Sequence, residues 1–85
     1  VKNPKPYPDI YLKVINSCNL NKQETVIIED SSVGVQAGVS AGVKVFGLTA
    51  GGHWHSERSS QELLDVGAFA VVKSYKDLSN ELNKL

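Results

Sequence analysis

A lysine set between prolines and a pair of adjacent carboxylates are the residues of this chain whose types and spacing could do chemistry. Lys5 lies in the run Pro4–Asp9, which has prolines at positions 4, 6 and 8. Further along, the apolar run Val26–Ile28 leads directly into Glu29 and Asp30. An ammonium group can hold a phosphoryl group, and carboxylates can hold a divalent metal ion that also contacts the phosphate. These residues therefore predict a metal-assisted phosphate site, although they do not include a nucleophile.

Each part of this motif also has an ordinary interpretation. Lys5 alone is compatible with a proline-rich linker, although its flanking prolines lack the three-residue spacing of an SH3 ligand. Glu29 and Asp30 alone are compatible with a solvated strand end, where Asp30 or Ser31 caps the following helix. Because successive strand residues point to opposite faces, both acids can reach one ion only if the chain turns there. We therefore expect Asp30, ahead of Glu29, to be the direct metal ligand.

Composition limits the class of protein. With 85 residues and 41% hydrophobic content, the chain is one small globular domain or part of one. Nine basic and nine acidic residues cancel without a basic cluster, which argues against a nucleic-acid partner. Apolar stretches are too short to span a membrane. Cys18 is the single cysteine, so we expect a buried helical thiol, no intramolecular disulfide and a cytoplasmic protein.

Helical and apolar segments alternate along the chain, which predicts an α/β fold with a parallel sheet of about three strands. Predicted strands are Thr25–Glu29, Val43–Leu48 and Ala68–Val72; predicted helices are Asp9–Asn19 (capped by Asp9), Ser31 or Ser32 to Ala41, Ser59 or Ser60 to Val66, and one from Ser74 onward. Right-handed crossovers place the first three helices on one face of the sheet and the last on the other. A continuous apolar strand such as Val26–Ile28 is expected to be covered on both faces. We expect that cover to come from an earlier part of the chain or from a homodimer mate.

Two further segments have a predicted role in this arrangement. The second helix carries a stripe of small residues that allows close packing against its neighbour, namely Gly34, Ala37, Gly38 and Ala41. The glycine-rich segment Thr49–Ser56 follows the second strand, at the same sheet edge as Lys5 and Asp30. Its His53 and His55 are too few for a zinc site, so we interpret it as a surface loop near the substrate entrance.

These motifs together resemble the C-terminal part of haloacid dehalogenase-like (HAD) hydrolases. The segments that carry the resemblance are Lys5–Tyr11, Ile28–Gly38, Ala41–Val43 and Gly47–Thr49, and it extends over essentially the whole chain. It is strongest to the β-phosphoglucomutase-like and phosphoglycolate phosphatase-like branch. The resemblance implies a three-layer Rossmann-like core, of which residues 1–85 form the C-terminal part. Pro4 departs from the pattern, because the family commonly has glycine there.

The resemblance also implies a role for each matched residue. Lys5 corresponds to the phosphate-binding lysine of the family, and Glu29 and Asp30 correspond to the acids that hold Mg²⁺. The family's nucleophilic aspartate, its acid–base aspartate and its cap domain belong to earlier segments that this sequence does not contain. The resemblance therefore implies a magnesium-dependent phosphatase or phosphomutase acting on a small phosphorylated metabolite, in which this chain alone is inactive.

A second function remains open at this point. The chain is also compatible with a non-catalytic α/β module, or a degenerate relative, that binds metal and phosphate weakly. An upstream Asp-x-Asp motif on a strand would favour the enzyme, and its absence would favour the module.

Overall fold

The computed structural model describes residues 3–49 and 60–85. Within these ranges the chain forms four α-helices, three β-strands and one short 3₁₀ turn at Lys22–Glu24. The helices are α1 (Asp9–Ser17), α2 (Ser32–Ser40), α3 (Gln61–Asp65) and α4 (Tyr75–Leu82), and the strands are β1 (Val26–Glu29), β2 (Lys44–Leu48) and β3 (Ala70–Val72). The predicted order of helices and strands is confirmed.

The three strands form a parallel sheet in the order β1-β2-β3. Glu29 at the end of β1 pairs with Gly47 of β2, and Gly47 pairs in turn with Val71 of β3. Thr49 extends this edge, because its backbone N–H donates to Val72 O at 3.0 Å. The carboxyl ends of the strands therefore lie at one edge of the sheet, which is where α/β proteins bind ligands.

Helices cover the sheet from both sides, as the right-handed crossover rule predicts. On one side, α1, α2 and α3 pack over a cluster that includes Ile15, Ile27, Val35, Val45 and Leu63. On the other side, α4 packs its Leu78 over the second cluster. The alternation of side chains along β2 divides the core, since Val45 belongs to the first cluster and the next residue, Phe46, to the second.

Within the described residues, coverage of β1 is incomplete, and cover from an earlier segment or a homodimer mate stays a prediction. Ile27 is buried, but the neighbouring Ile28 is 39% exposed on the opposite face. The cluster under α4 is built on β2 and β3, and Val26 packs only at its margin. An apolar groove beside β1 is lined by residues of α1, of the strand and of the segment between them, including Val14 of α1 and Leu20 of that segment. In the part of the chain described, the β1 side of the sheet is the poorly covered one.

The start and end of α1 differ from prediction. Asp9 was expected to cap this helix, but the N-cap position is Pro8 and Asp9 lies in the first turn. Its Oδ2 instead accepts hydrogen bonds from the backbone and side-chain nitrogens of Asn3, at 3.1 and 3.2 Å. Asp9 thereby ties the N-terminal segment to the helix. Cys18 was expected to be buried but is exposed, because it follows the last turn of α1.

Local signals at both ends of α2 and at the start of α4 are confirmed, whereas Ser60 lies at the N-cap position of α3 without a side-chain capping hydrogen bond. Ser31 caps α2 by accepting a hydrogen bond from the Gly34 N–H, and Ser74 caps α4 by accepting from the Asp77 N–H. Gly42 follows α2 with φ of +82°, a backbone conformation that side chains with a Cβ disfavour. The small-residue stripe of α2 is buried, also as predicted.

None of the described helices is long and apolar enough to cross a bilayer.

Candidate phosphate and metal site

Lys5 and Glu29 meet at the carboxyl end of β1. The Lys5 Nζ lies 2.6 Å from Glu29 Oε2, and the side chains are 36% and 10% exposed, respectively. Lys5 is held in a tight turn, in which the Tyr7 N–H donates to Pro4 O at 3.0 Å. The cation of the proline-rich segment and the anion of the strand end therefore converge on one point, across 24 residues of sequence.

Glu29 reaches this point because of the way the helices run past β1. Residues two apart on a strand share a face, so Glu29 points to the same side of the sheet as Ile27. Ile27 lies in the buried cluster with Ile15 of α1. One helical turn before Ile15 is Tyr11, and its hydroxyl donates a hydrogen bond to Glu29 Oε2. Tyr11 and Glu29 therefore form the next contact between α1 and β1, beyond the buried contact of Ile15 and Ile27, toward the carboxyl end of the strand.

Helix α2 closes the other side of Glu29. Gly34 lies in the first turn of α2, and its Cα faces the Glu29 carboxylate so closely that any Cβ would clash with it. Gly38, one turn later, packs closely over the sheet, because a Cβ there would clash with Val45 and press against Ile27. The second oxygen, Glu29 Oε1, accepts from the Asp30 N–H at 3.2 Å. The carboxylate is thus enclosed by Lys5, Tyr11, Gly34 and the backbone N–H of Asp30.

This enclosure sets the protonation state of Glu29. Burial opposes ionisation of the carboxylate, but the hydrogen bonds from Lys5, Tyr11 and the Asp30 backbone, together with the Lys5 charge, outweigh it. The net effect holds the pKa of Glu29 below its ordinary value. Glu29 is therefore a carboxylate at neutral pH, as either a metal ligand or a lysine partner requires.

Tyr11 shows the reciprocal effect. Burial of its ring raises the pKa of the phenol, and the hydrogen bond to Glu29 and the negative charges of Glu29 and Asp30 raise it further. The phenol therefore keeps its proton and remains a donor to Glu29 well above neutral pH. Its ring also lies near the Lys5 ammonium, 5.5 Å from Nζ to the ring centroid.

The two acids are not equivalent as metal ligands. Two donors already occupy Glu29 Oε2, and a carboxylate oxygen has two lone pairs, so only Oε1 retains capacity for a metal ion. Asp30 is exposed at the turn between β1 and α2. Over residues 3–49 and 60–85, no three His, Cys, Asp or Glu side chains are grouped as a metal cage. Two carboxylates fit Mg²⁺, which commonly takes one or two protein carboxylates plus water and phosphate oxygens.

Sequence reasoning predicted Lys5, Glu29 and Asp30 and missed Tyr11 and Gly34. The missed residues act through packing between elements that are distant in sequence. A signal for Gly34 was present in the small-residue stripe of α2, which predicted close approach but not the partner. The loop with His53, His55 and Trp54 and the candidate cap Ser59 lie outside the described residues.

Comparison with known proteins agrees with this fold. Residues 1–48 match the haloacid dehalogenase-like hydrolase family. A phosphorylated carbohydrates phosphatase of Thermotoga maritima is 42% identical over 74 residues, which cover 86% of this chain and 32% of that protein. The chain belongs to the haloacid dehalogenase-like hydrolase family.

Solved structures show the same relationship. A Thermotoga maritima structure provisionally assigned as a β-phosphoglucomutase has a TM-score of 0.82 and 38% identity, covering 100% of this chain and 37% of that one. An HAD family hydrolase from Deinococcus radiodurans, solved with bound phosphate and sodium, has a TM-score of 0.83 and 33% identity, covering 96% of this chain and 35% of that one. The chain spans about a third of the length of the relatives it matches.

Proposed function

We propose that this chain supplies the phosphate-binding lysine and the metal-binding carboxylates of a magnesium-dependent phosphohydrolase. The enzyme would act on a small phosphorylated metabolite as a phosphatase or phosphomutase. The observation that carries this proposal is the 2.6 Å pair of Lys5 Nζ and Glu29 Oε2, next to Asp30 at the carboxyl end of β1. Two relatives, a phosphorylated carbohydrates phosphatase and an HAD family hydrolase solved with bound phosphate, support it.

The residues have distinct roles in this proposal. An ammonium has three donors, so Lys5 can bind phosphoryl oxygens while one N–H stays on Glu29. The Ser31-capped N-terminus of α2 adds backbone dipoles that favour an anion nearby. Asp30 would hold the Mg²⁺ with help from Glu29 Oε1, and the bound ion supplies positive charge against the phosphate oxygens. Positioning and charge are the main requirements of phosphoryl transfer.

The nucleophile must come from elsewhere in this proposal. We infer that a nucleophile-bearing segment, together with a substrate-selecting cap, covers the exposed side of β1 at Val26 and Ile28. A second copy of the chain is the alternative cover. The 85-residue chain alone would then be inactive, and it would regain activity only with the complementary segment. Size-exclusion chromatography with light scattering distinguishes a homodimer from a monomer.

Binding to the 85-residue chain tests the proposed site directly. Inorganic phosphate is titrated by ³¹P NMR in the presence and absence of MgCl₂. We expect Lys5→Ala to weaken phosphate binding and Asp30→Asn to abolish its dependence on Mg²⁺. Lys13→Ala serves as the control, because Lys13 is an exposed lysine of α1. Equal phosphate binding by wild type and Lys5→Ala would contradict the proposal.

Activity tests it in the assembled enzyme. If Asp30 holds the metal, Asp30→Asn should reduce turnover of a generic phosphate ester by orders of magnitude with the fold intact, because the charge on the phosphate is no longer balanced. Unchanged turnover would overturn the assignment of Asp30. An upstream Asp-x-Asp motif in the full gene would support the enzyme over a non-catalytic module.

A further inference from the structure

We propose that Tyr11 is a positioning residue that fixes the Lys5 ammonium through Glu29. Its role in phosphate binding rests on the function proposed above, but the positioning itself is a property of this chain. Tyr11 and Lys5 donate to the same oxygen, Glu29 Oε2, from two different segments. The hydroxyl is therefore placed to determine where that oxygen lies, and so where the lysine is held.

Glu29 needs such a partner because its side chain is long. A glutamate at a strand end has three rotatable bonds, and an ion pair with a lysine that is 36% exposed does not by itself select one rotamer. Tyr11 is half-buried on α1, one turn from the buried Ile15, so its ring is anchored by the core. A hydrogen bond from this anchored phenol therefore restricts the Glu29 side chain to one rotamer.

Gly34 provides the opposing contact. The Glu29 carboxylate lies against the Gly34 Cα on the side of α2, and Tyr11 approaches from the side of α1. The carboxylate is held between two helices, and of the two lone pairs of Oε2 one accepts from Tyr11 and the other from Lys5. The ammonium then keeps its other two donors directed away from Glu29, available to an anion.

The hydroxyl can be removed without removing the ring. Tyr11→Phe retains the aromatic packing and the ring near the Lys5 ammonium and deletes only the donor to Glu29. Tyr7→Phe is the matched control, because Tyr7 is 58% exposed and lies in the same segment as Lys5. A merely structural role for Tyr11 would be fulfilled equally well by phenylalanine.

NMR of the lysine ammonium groups in the 85-residue chain tests the proposal. In wild type, we expect a distinct, ordered ammonium signal for Lys5, assigned by its loss in Lys5→Ala. In Tyr11→Phe, the order parameter of Lys5 should fall to that of the exposed Lys13 and Lys76, and in Tyr7→Phe it should not change. An unchanged Lys5 signal in Tyr11→Phe, with native backbone shifts, would overturn the proposal.

A second measurement requires no variant. A phenol that donates to a carboxylate exchanges its proton slowly, so in mixed H₂O and D₂O the ¹³Cζ of Tyr11 should split into two isotope-shifted signals. A single averaged signal for Tyr11, like that expected for Tyr7, would overturn the proposal even if Tyr11→Phe fails to fold.

Phosphate titration of the same samples tests the proposed function separately from the positioning role of Tyr11. If wild type binds no phosphate, the proposed function fails, while the Lys5 and Tyr11 signals still decide the positioning role.

Discussion

Replacing Gly34 with alanine should have opposite effects on stability depending on whether Glu29 is present. A Cβ at position 34 would clash with the Glu29 carboxylate, which is the movable end of a side chain. We therefore expect Gly34→Ala to displace the carboxylate and not the helix. The displaced carboxylate loses its contacts with both Tyr11 and Lys5.

The magnitude follows from two opposing contributions. Alanine in place of glycine stabilises a helix by up to about 1 kcal/mol. The hydrogen bond from Tyr11 to a charged acceptor contributes about 1.5 kcal/mol or more, and the half-exposed ion pair with Lys5 adds less than about 1 kcal/mol. Their sum predicts that Gly34→Ala destabilises the wild-type chain by about 1 kcal/mol. In a Glu29→Ala background there is no carboxylate to clash with, so Gly34→Ala should stabilise the chain by up to about 1 kcal/mol.

Urea unfolding followed by circular dichroism measures all four chains of this double-mutant cycle. Gly38→Ala is the control on the same helix, because a Cβ there would lie 2.5 Å from Val45 Cγ2 and 3.1 Å from Ile27 Cδ1. Overpacking in the core should destabilise by about 1–3 kcal/mol in both backgrounds. Equal effects of Gly34→Ala with and without Glu29 would refute the enclosed position of the carboxylate.

Three further changes have defined outcomes. The pKa of Glu29 in the folded chain is held below the ordinary 4.5. The ionised carboxylate therefore makes its full contribution to the free energy of unfolding above pH 4.5, and this contribution is lost as the pH falls through the pKa of the folded state. The stability difference between wild type and Glu29→Gln in urea unfolding should therefore shrink in acid. The pKa of Tyr11 in the folded chain is raised above the ordinary 10.0. The protonated phenol therefore makes its full contribution to the free energy of unfolding below pH 10, and this contribution is lost as the pH rises toward the pKa of the folded state. In urea titrations at successive pH values, Tyr11→Phe should lose less stability than wild type above pH 10. Ser31→Ala should cost about 1 kcal/mol in urea unfolding through loss of the α2 cap, and no change would contradict the capping hydrogen bond to Gly34.

Local sequence signals were sufficient to predict the order of elements and the ends of most of them. Continuous apolar runs, the helical period of 3.6 and caps such as Ser31 and Ser74 are local features of the sequence, so they can be recognised without knowledge of the fold. Asp9 is one exception. Its carboxylate could cap α1 or bind the preceding segment, and the structure has it bound to Asn3.

The candidate site was predicted only in part. Lys5, Glu29 and Asp30 were identified because their types and spacing match the chemistry of phosphate and metal binding. Their convergence required the packing of α1 against β1, which brings the N-terminal turn beside the end of β1. The apolar run at Val26–Ile28 predicted a need for cover, but the identity of that cover stays open, because burial depends on which elements pack over a strand and not on its own hydrophobicity.

By itself, the sequence determined an α/β chain of alternating helices and parallel strands, and the types and spacing of one lysine and two acids predicted a phosphate site. Only the tertiary structure decided which oxygen of Glu29 accepts from Lys5, that Tyr11 shares it, and that Gly34 leaves room for it. The physical reason is distance along the chain. The Tyr11 contact joins residues 18 apart and the Lys5 contact joins residues 24 apart, so both depend on how α1, α2 and β1 pack against one another.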